Sequence, residues 1–192
     1  MNSSTNKIEN YLKNIINTIS LEHYIPSIIE QFTKLHLNKN QYLVEKGKVC
    51  SYFCYLEEGV LQHSIDNQGE EKTTYLALEN TSTAALKSFK QKTPSRKNIK
   101  ALCDCNLWVI DLKKFHDLME NNEGFRRFYH NLIENQIFLI DDYRINLLTL
   151  SPEERYKELL KNHPNLLQQI PLHYLASFLG ISSRHMSRIR KK

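Results

Sequence analysis

The spacing of apolar residues changes character twice along this chain, and that double change constrains the fold more than any single motif. Over the first 32 residues apolar side chains recur at helical intervals: Ile8, Tyr11, Leu12, Ile15, Ile16 and Ile19, then Leu21, Ile25, Ile28, Ile29 and Phe32. From about residue 36 the segments shorten and fill with aromatic and β-branched residues. Turn signals separate them at Glu45-Lys46-Gly47, Glu57-Glu58-Gly59 and Asp66-Asn67-Gln68-Gly69. Residues 52–56, 60–65, 73–78 and 107–110 read as antiparallel strands, spaced as in a small sandwich or roll. From Leu112 the helical period returns and persists. The expected class is α+β: N-terminal helices, an antiparallel β-roll, a long helix and a helical C-terminus. With 192 residues, 41% of them hydrophobic, the chain is long enough for one large domain or two small ones.

A helix of about 24 residues, roughly 36 Å long, is expected over residues 125–148. It carries two apolar rows, Phe125, Tyr129, Leu132, Gln136, Leu139, Tyr143 and Ile133, Ile137, Ile140, Arg144, Leu147. One row suits the β-region. The other suits a second copy of the same helix, so a homodimer is expected over a helix buried on two sides within one subunit. No apolar run is long enough to span a membrane, and the polar start lacks the basic-then-apolar order of a secretory signal, which makes the cytoplasm the expected compartment.

Ser151-Pro152-Glu153-Glu154 reads as a helix start with a capping box, leading into Tyr156, Leu159 and Leu160 and ending at Asn162-His163-Pro164. A short Leu166-Leu167 segment follows. Residues 172–191 then match the helix-turn-helix pattern. Leu175, Ala176 and Leu179 face inward, Gly180 makes the turn, Ile181 fills the core, and Ser182 or Ser183 caps a second helix anchored by Met186 and Ile189. Charge falls in register with this motif. The net charge is +5, and the acid-free segment from Pro171 onward holds Arg184, Arg188, Arg190, Lys191 and Lys192, so the rest of the chain is neutral. A helix of this kind enters the major groove of double-stranded DNA, where arginine can donate two hydrogen bonds to guanine. Ser182, Ser183, Arg184, His185, Ser187, Arg188, Arg190 and Lys191 are therefore the candidate DNA-binding residues, the terminal basic cluster and the serine hydroxyls suiting phosphates. A second acid-free stretch, residues 84–101 with Lys87, Lys90, Lys92, Arg96, Lys97 and Lys100, reads as a solvated face.

The order of parts, together with Tyr52-Phe53-Cys54-Tyr55-Leu56-Glu57-Glu58-Gly59, Ser151-Pro152-Glu153-Glu154-Arg155-Tyr156, Leu175-Ala176-Ser177-Phe178-Leu179-Gly180-Ile181 and Ser187-Arg188-Ile189-Arg190-Lys191, resembles the Crp/Fnr superfamily of bacterial transcription regulators. The last two segments look like the short members found in Bacteroidetes. The resemblance implies a cyclic-nucleotide-binding-like sensor over residues 1–120, a dimerisation helix over 121–149 and a DNA-binding domain over 150–192. It further implies a homodimer on a palindromic site, with RNA polymerase as a partner. Most relatives add a β-hairpin wing after the second helix; the sequence stopping at Lys192, wing contacts are not expected. Relatives that bind cyclic AMP carry a Gly-Glu pair and, about ten residues on, an arginine. Here those positions fall near Ser82-Thr83-Ala84 and at Ser95, with Arg96 one place along and turned to the opposite face of a strand. The resemblance thus leaves Ser82, Thr83, Ser95 and Arg96 as candidate ligand positions for an effector other than cyclic AMP.

Three readings of the sensor stay open: a small anionic effector, an unliganded scaffold, and a redox or metal response through cysteine. Cys50 and Cys54, and Cys103 and Cys105, have spacings that let each pair lie on one face of a strand, although neither spacing is the usual zinc knuckle. No metal or cofactor is assigned. An enzyme is disfavoured because no nucleophile elbow, phosphate-binding Gly-rich loop or HExxH motif occurs, and a small-molecule-binding roll without sequence-specific DNA binding is the alternative.

Overall fold

The computed structural model describes residues 3–164 and 170–190. Helix α1 (Ser3–Ile16) buries Ile8, Leu12 and Ile16, one per turn. It stops because Asn17 takes a left-handed φ of 48°, with its N–H closing on the carbonyl of Lys13 at 2.9 Å. Ile19, which periodicity places on the same face, therefore falls beyond the helix and is 88% exposed. The second helical segment is split into a 3-10 turn (Ile19–Tyr24) and α2 (Ile25–Gln31), with Pro26 in the first turn of the latter.

Among the described residues eight strands follow: β1 (Thr33–Leu37), β2 (Tyr42–Val44), β3 (Tyr52–Glu58), β4 (Leu61–Asn67), β5 (Glu70–Ala77), β6 (Thr81–Thr83), β7 (Asn98–Ala101) and β8 (Cys105–Asp111), with α3 (Leu86–Gln91) between β6 and β7. They form two four-stranded antiparallel sheets, ordered β1-β8-β3-β6 and β2-β7-β4-β5. The four strands read from sequence correspond to β3, β4, β5 and β8; β1, β2, β6, β7 and α3 are additions. The middle of β3, Phe53 to Glu57, is buried on both faces, because one side meets the opposite sheet and the other meets helices.

Asp111 caps α4 (Leu112–Asn121) by accepting from Lys114 N–H at 3.0 Å, and Asn122 caps α5 (Glu123–Thr149) by accepting from Phe125 N–H at 2.8 Å. Gly124 is needed where α5 crosses the N-terminal helices, since a Cβ there would lie 2.7 Å from Cβ of Tyr24. The first half of α5 buries Phe125, Phe128 and Leu132 in an aromatic core with Phe53, Phe89 and Phe115. Its second half leaves Ile137, Phe138, Leu139, Ile140, Ile145, Leu147 and Leu148 exposed. Among the described residues the fold ends in α6 (Pro152–Asn162), α7 (Leu172–Phe178) and α8 (Ser183–Arg190). Leu166, Leu167, Lys191 and Lys192 lie outside the described residues.

The stretch expected to be a solvated basic face is only partly one. Lys87, Lys92 and Arg96 are exposed, whereas Lys90 lies 4.4 Å from the Phe115 ring centroid, Lys97 turns inward to His63 and the Lys100 side chain is 12% exposed. The cysteine pairs do not lie on shared strands either. Cys50 precedes β3, which carries Cys54, and Cys103 sits in a bend before β8, which begins at Cys105. Among the described residues no cluster of three or more metal-ligating side chains occurs, and no helix is long and apolar enough to cross a membrane.

Candidate functional site

The C-terminal helices are built on caps. Ser151 Oγ accepts from Glu154 N–H at 3.3 Å and Glu154 Oε2 accepts from Ser151 N–H at 2.8 Å, completing the capping box of α6. Arg155 reaches from α6 to donate to the carbonyl of Leu179 at 3.1 Å, satisfying a carbonyl at the end of α7. The turn after α7 is a Schellman motif: Ile181 N–H bonds to Ala176 O and Gly180 N–H to Ser177 O, with Gly180 at φ 70°. Ser182, not Ser183, caps α8, its Oγ accepting from His185 N–H at 3.2 Å.

Met186 and Ile189 point inward from α8 and are buried. Ser183, Arg184, Ser187, Arg188 and Arg190 are all exposed on the remaining surface. Ser187 donates to the carbonyl of Ser183 at 2.9 Å, which leaves its oxygen free to accept. His185 stands apart from the arginines. It is half-buried, with Nε2 3.3 Å from Glu153 Oε1, and so ties α8 to the start of α6. Neither this tie nor the Arg155 contact has a signal in the sequence, since both join helices through side-chain reach rather than spacing.

A second apolar core holds these helices on the roll. Val60, Leu76 and Leu102 from the β-region pack with Tyr156, Ile170, Leu175, Ala176, Leu179, Met186 and Ile189. At its border Thr73 N–H donates to Ser177 Oγ at 2.9 Å, Lys100 lies 5.4 Å from the Tyr174 ring centroid, and Tyr143 of α5 donates to the carbonyl of Phe178 at 3.3 Å while stacking on its ring.

Three of the candidate ligand residues, Ser82, Thr83 and Ser95, are engaged by Tyr11, His63 and the backbone of Lys97. Ser82 Oγ accepts from the Tyr11 hydroxyl at 3.0 Å, and Thr83 Oγ1 lies 2.8 Å from His63 Nε2. Lys97 Nζ is 2.8 Å from His63 Nδ1. The ammonium has only protons to give, so Nδ1 accepts and the imidazole proton sits on Nε2, facing Thr83. Burial, with the Lys97 charge beside it, holds the His63 pKa well below the usual imidazole value. Burial also pushes the Tyr11 hydroxyl up to about 12. Ser95, buried, donates to the carbonyl of Lys97 at 2.6 Å, and Arg96 is exposed. Tyr75 meets the His63 ring edge-on at 5.2 Å, and its hydroxyl pKa is raised by burial, with Gln136 of α5 opposing the rise.

Residues 34–122 match the family model described as the cyclic nucleotide-binding domain. No curated protein matches the sequence. Among solved structures, FixK2 from Bradyrhizobium japonicum is 12% identical and superposes with a TM-score of 0.71 over 83% of each chain. The catabolite activator protein of Thermus thermophilus is 17% identical, with a TM-score of 0.58 over 92% of this chain and 85% of that one. A protein described as a transcriptional regulator of the Crp/Fnr family from Eubacterium rectale is 14% identical, with a TM-score of 0.65 over 91% of this chain and 82% of that one. The second and third of these neighbours carry the names of an activator and a transcriptional regulator. The protein therefore combines a β-roll that matches the cyclic nucleotide-binding domain with a long helix, in a fold like that of Crp/Fnr structures.

Proposed function

We propose that the protein is a sequence-specific DNA-binding transcription regulator that acts as a homodimer. The observation carrying this reading is the exposed Arg184–Arg188 face of a helix that is capped at Ser182 and anchored by Met186 and Ile189. On this reading α7 and α8 are a helix-turn-helix and α8 enters the major groove. Ser183, Arg184 and Arg188 meet base edges, while Ser182, Arg190 and Lys191 meet phosphates, and Ser187 joins them by turning its hydroxyl away from the Ser183 carbonyl. His185 acts from behind them by steadying α8 on Glu153.

The apolar second half of α5 supports pairing with a second copy, which sets two reading helices about one DNA turn, roughly 34 Å, apart. RNA polymerase is the partner such a regulator acts on. The roll supplies the regulatory input. Ser82 and Thr83 stand where a ribose-binding carboxylate would be needed and are engaged with Tyr11 and His63, which argues against cyclic AMP. An effector that disturbs the His63 cluster has a route to α5 through Tyr75 and Gln136.

Selection from random duplex DNA at about 0.15 M salt tests the reading, because that salt screens unspecific contacts. Recovery of a two-fold symmetric site is the expected result. Binding without sequence preference, or none, overturns it in favour of a roll that binds a small molecule.

A further inference from the structure

Cys103 differs from the other three cysteines in exposure and acidity, and Cys105, two residues on, is its near neighbour. Cys50 and Cys54 are fully buried and donate their thiol protons to the carbonyls of Tyr52 and Thr83 at 3.3 and 3.1 Å. Burial pushes the Cys54 thiol up, leaving it inert. Cys103 is half-exposed. In an extended strand two residues at this spacing sit about 6.6–6.8 Å apart, the far limit for a disulfide. Here the chain bends before β8, and the Cys105 thiol donates back to the carbonyl of Cys103 at 3.2 Å. The Cys105 thiol beside it draws the Cys103 thiol below the ordinary cysteine value, and the Lys39 charge adds to it. Cys105 is held correspondingly high.

The pair also occupies a sensitive place. Cys103 packs against both apolar cores, the roll's own and the one that seats α7 and α8. Its neighbour Leu102 belongs to the second core and donates its N–H to the carbonyl of Val60 at 3.0 Å. On the other side there is no room to yield, since a Cβ on Gly59 would lie 2.6 Å from Cys105 Sγ. Any shortening between the two sulfurs must therefore move the 102–104 bend.

We propose that Cys103 and Cys105 form a hydroperoxide-responsive thiol pair whose closure to a disulfide loosens the seat of α7 and α8 on the roll. The Cys103 thiolate attacks a peroxide oxygen; the S–O bond forms, the O–O bond breaks, and the leaving oxygen takes up a proton as water or alcohol. Cys105 sulfur then attacks the sulfenic acid sulfur; the S–S bond forms, the S–O bond breaks, and hydroxide departs with the Cys105 proton as water. Two thiols lose two electrons and one peroxide gains them. A dithiol reductant reverses the step. The chemistry stands by itself, and its consequence for regulation rests on the DNA-binding reading above.

The two pairs separate cleanly on tryptic cleavage, residues 101–113 carrying Cys103 and Cys105 and residues 49–72 carrying Cys50 and Cys54. The reduced full-length protein is treated with one equivalent of hydrogen peroxide, digested and weighed without reduction. The 101–113 peptide is expected to lose two hydrogens, reversibly with dithiothreitol, while 49–72 is unchanged. C105S is expected to stop at a sulfenic acid that dimedone traps. Amide exchange across α7 and α8 should quicken in the oxidised wild-type protein, a readout needing neither a variant nor DNA. No two-hydrogen loss, oxidation confined to 49–72, or a crosslink between chains overturns the pair. Closure with unchanged exchange overturns the coupling to the C-terminal helices. If DNA selection fails but closure and exchange respond, the regulator reading falls and the thiol pair stands.

Discussion

Lys97 gives a hydrogen bond to His63 Nδ1 at 2.8 Å inside the roll, so a cation is held against an imidazole that must remain neutral to accept it. His63 is 2% exposed and its pKa is depressed by burial and by Lys97. In the unfolded chain it titrates near 6.5, so below that pH the unfolded state binds a proton that the folded state refuses. The stabilising difference is fully present above about 6.5 and is lost as pH falls toward the folded value. Lys97 is also depressed by burial, from 10.5, and contributes a slope of the same sign at alkaline pH. Chemical denaturation midpoints should fall between about pH 7.5 and pH 5.5, and His63→Gln should flatten that fall. Parallel profiles for the two proteins would remove His63 as the source.

The exposed row on the second half of α5 is expected to close against another copy. Ile137 and Ile140 are 59% and 55% exposed, and burying such a side chain fully contributes about 1.5–3 kcal/mol. Ile137→Ala with Ile140→Ala should weaken self-association by at least about tenfold per residue, on the scale of 1.4 kcal/mol per tenfold. Sedimentation over a concentration series reads the change, and circular dichroism should stay the same. A chain that is monomeric before mutation would refute the pairing.

Arg184 and Arg188 should behave differently from Arg190. Replacing either of the first two by alanine is expected to cost about 1–3 kcal/mol and to relax preference at one base pair per half-site. Arg190→Ala should weaken all sequences alike and lower the salt slope by about one. A competition assay with single-base variants of the selected site separates these, and a uniform loss for all three would cancel the base-reading roles.

Gly59 is the glycine least able to accept a side chain. Its φ is 100°, and a Cβ would meet Cys105 Sγ at 2.6 Å and the Asp104 carbonyl at 2.7 Å. Strain and clash together put Gly59→Ala at about 2–4 kcal/mol of lost stability. Gly47→Ala, at a similar φ of 87° with open space around it, should cost about 1 kcal/mol. Equal denaturation midpoints for the two variants would contradict the close approach.

What could be read in advance follows from the range of the interactions involved. The helical stretches and the four longer strands declare themselves through local periodicity, as do the capping box at Ser151 and the turn at Gly180. Strands of three or four residues such as β2, β6 and β7 are too short to show a period, and they exist because longer neighbours offer edges: β3 to β6, β4 to β7, and β7 in turn to β2. Ile19 was misplaced because the helix end depends on one residue, Asn17, taking a positive φ. In the C-terminal site, Arg184 and Arg188 are legible because Met186 and Ile189 fix which face is inward. The His63–Thr83–Lys97 cluster is invisible in sequence, since three separate segments supply one side chain each and only their folding brings them together.

The seat beneath α7 and α8 has a consequence for exchanging parts between such proteins. Val60, Leu76 and Leu102 complete the apolar interior of the C-terminal helices, although they are encoded roughly a hundred residues earlier. A hybrid that takes residues 150–192 from another chain inherits a platform shaped for Leu175 and Met186, not for its own side chains. Transplanting the reader while keeping its stability requires moving the turn at residues 59–60, the end of β5 and the bend at residues 102–105 together with it.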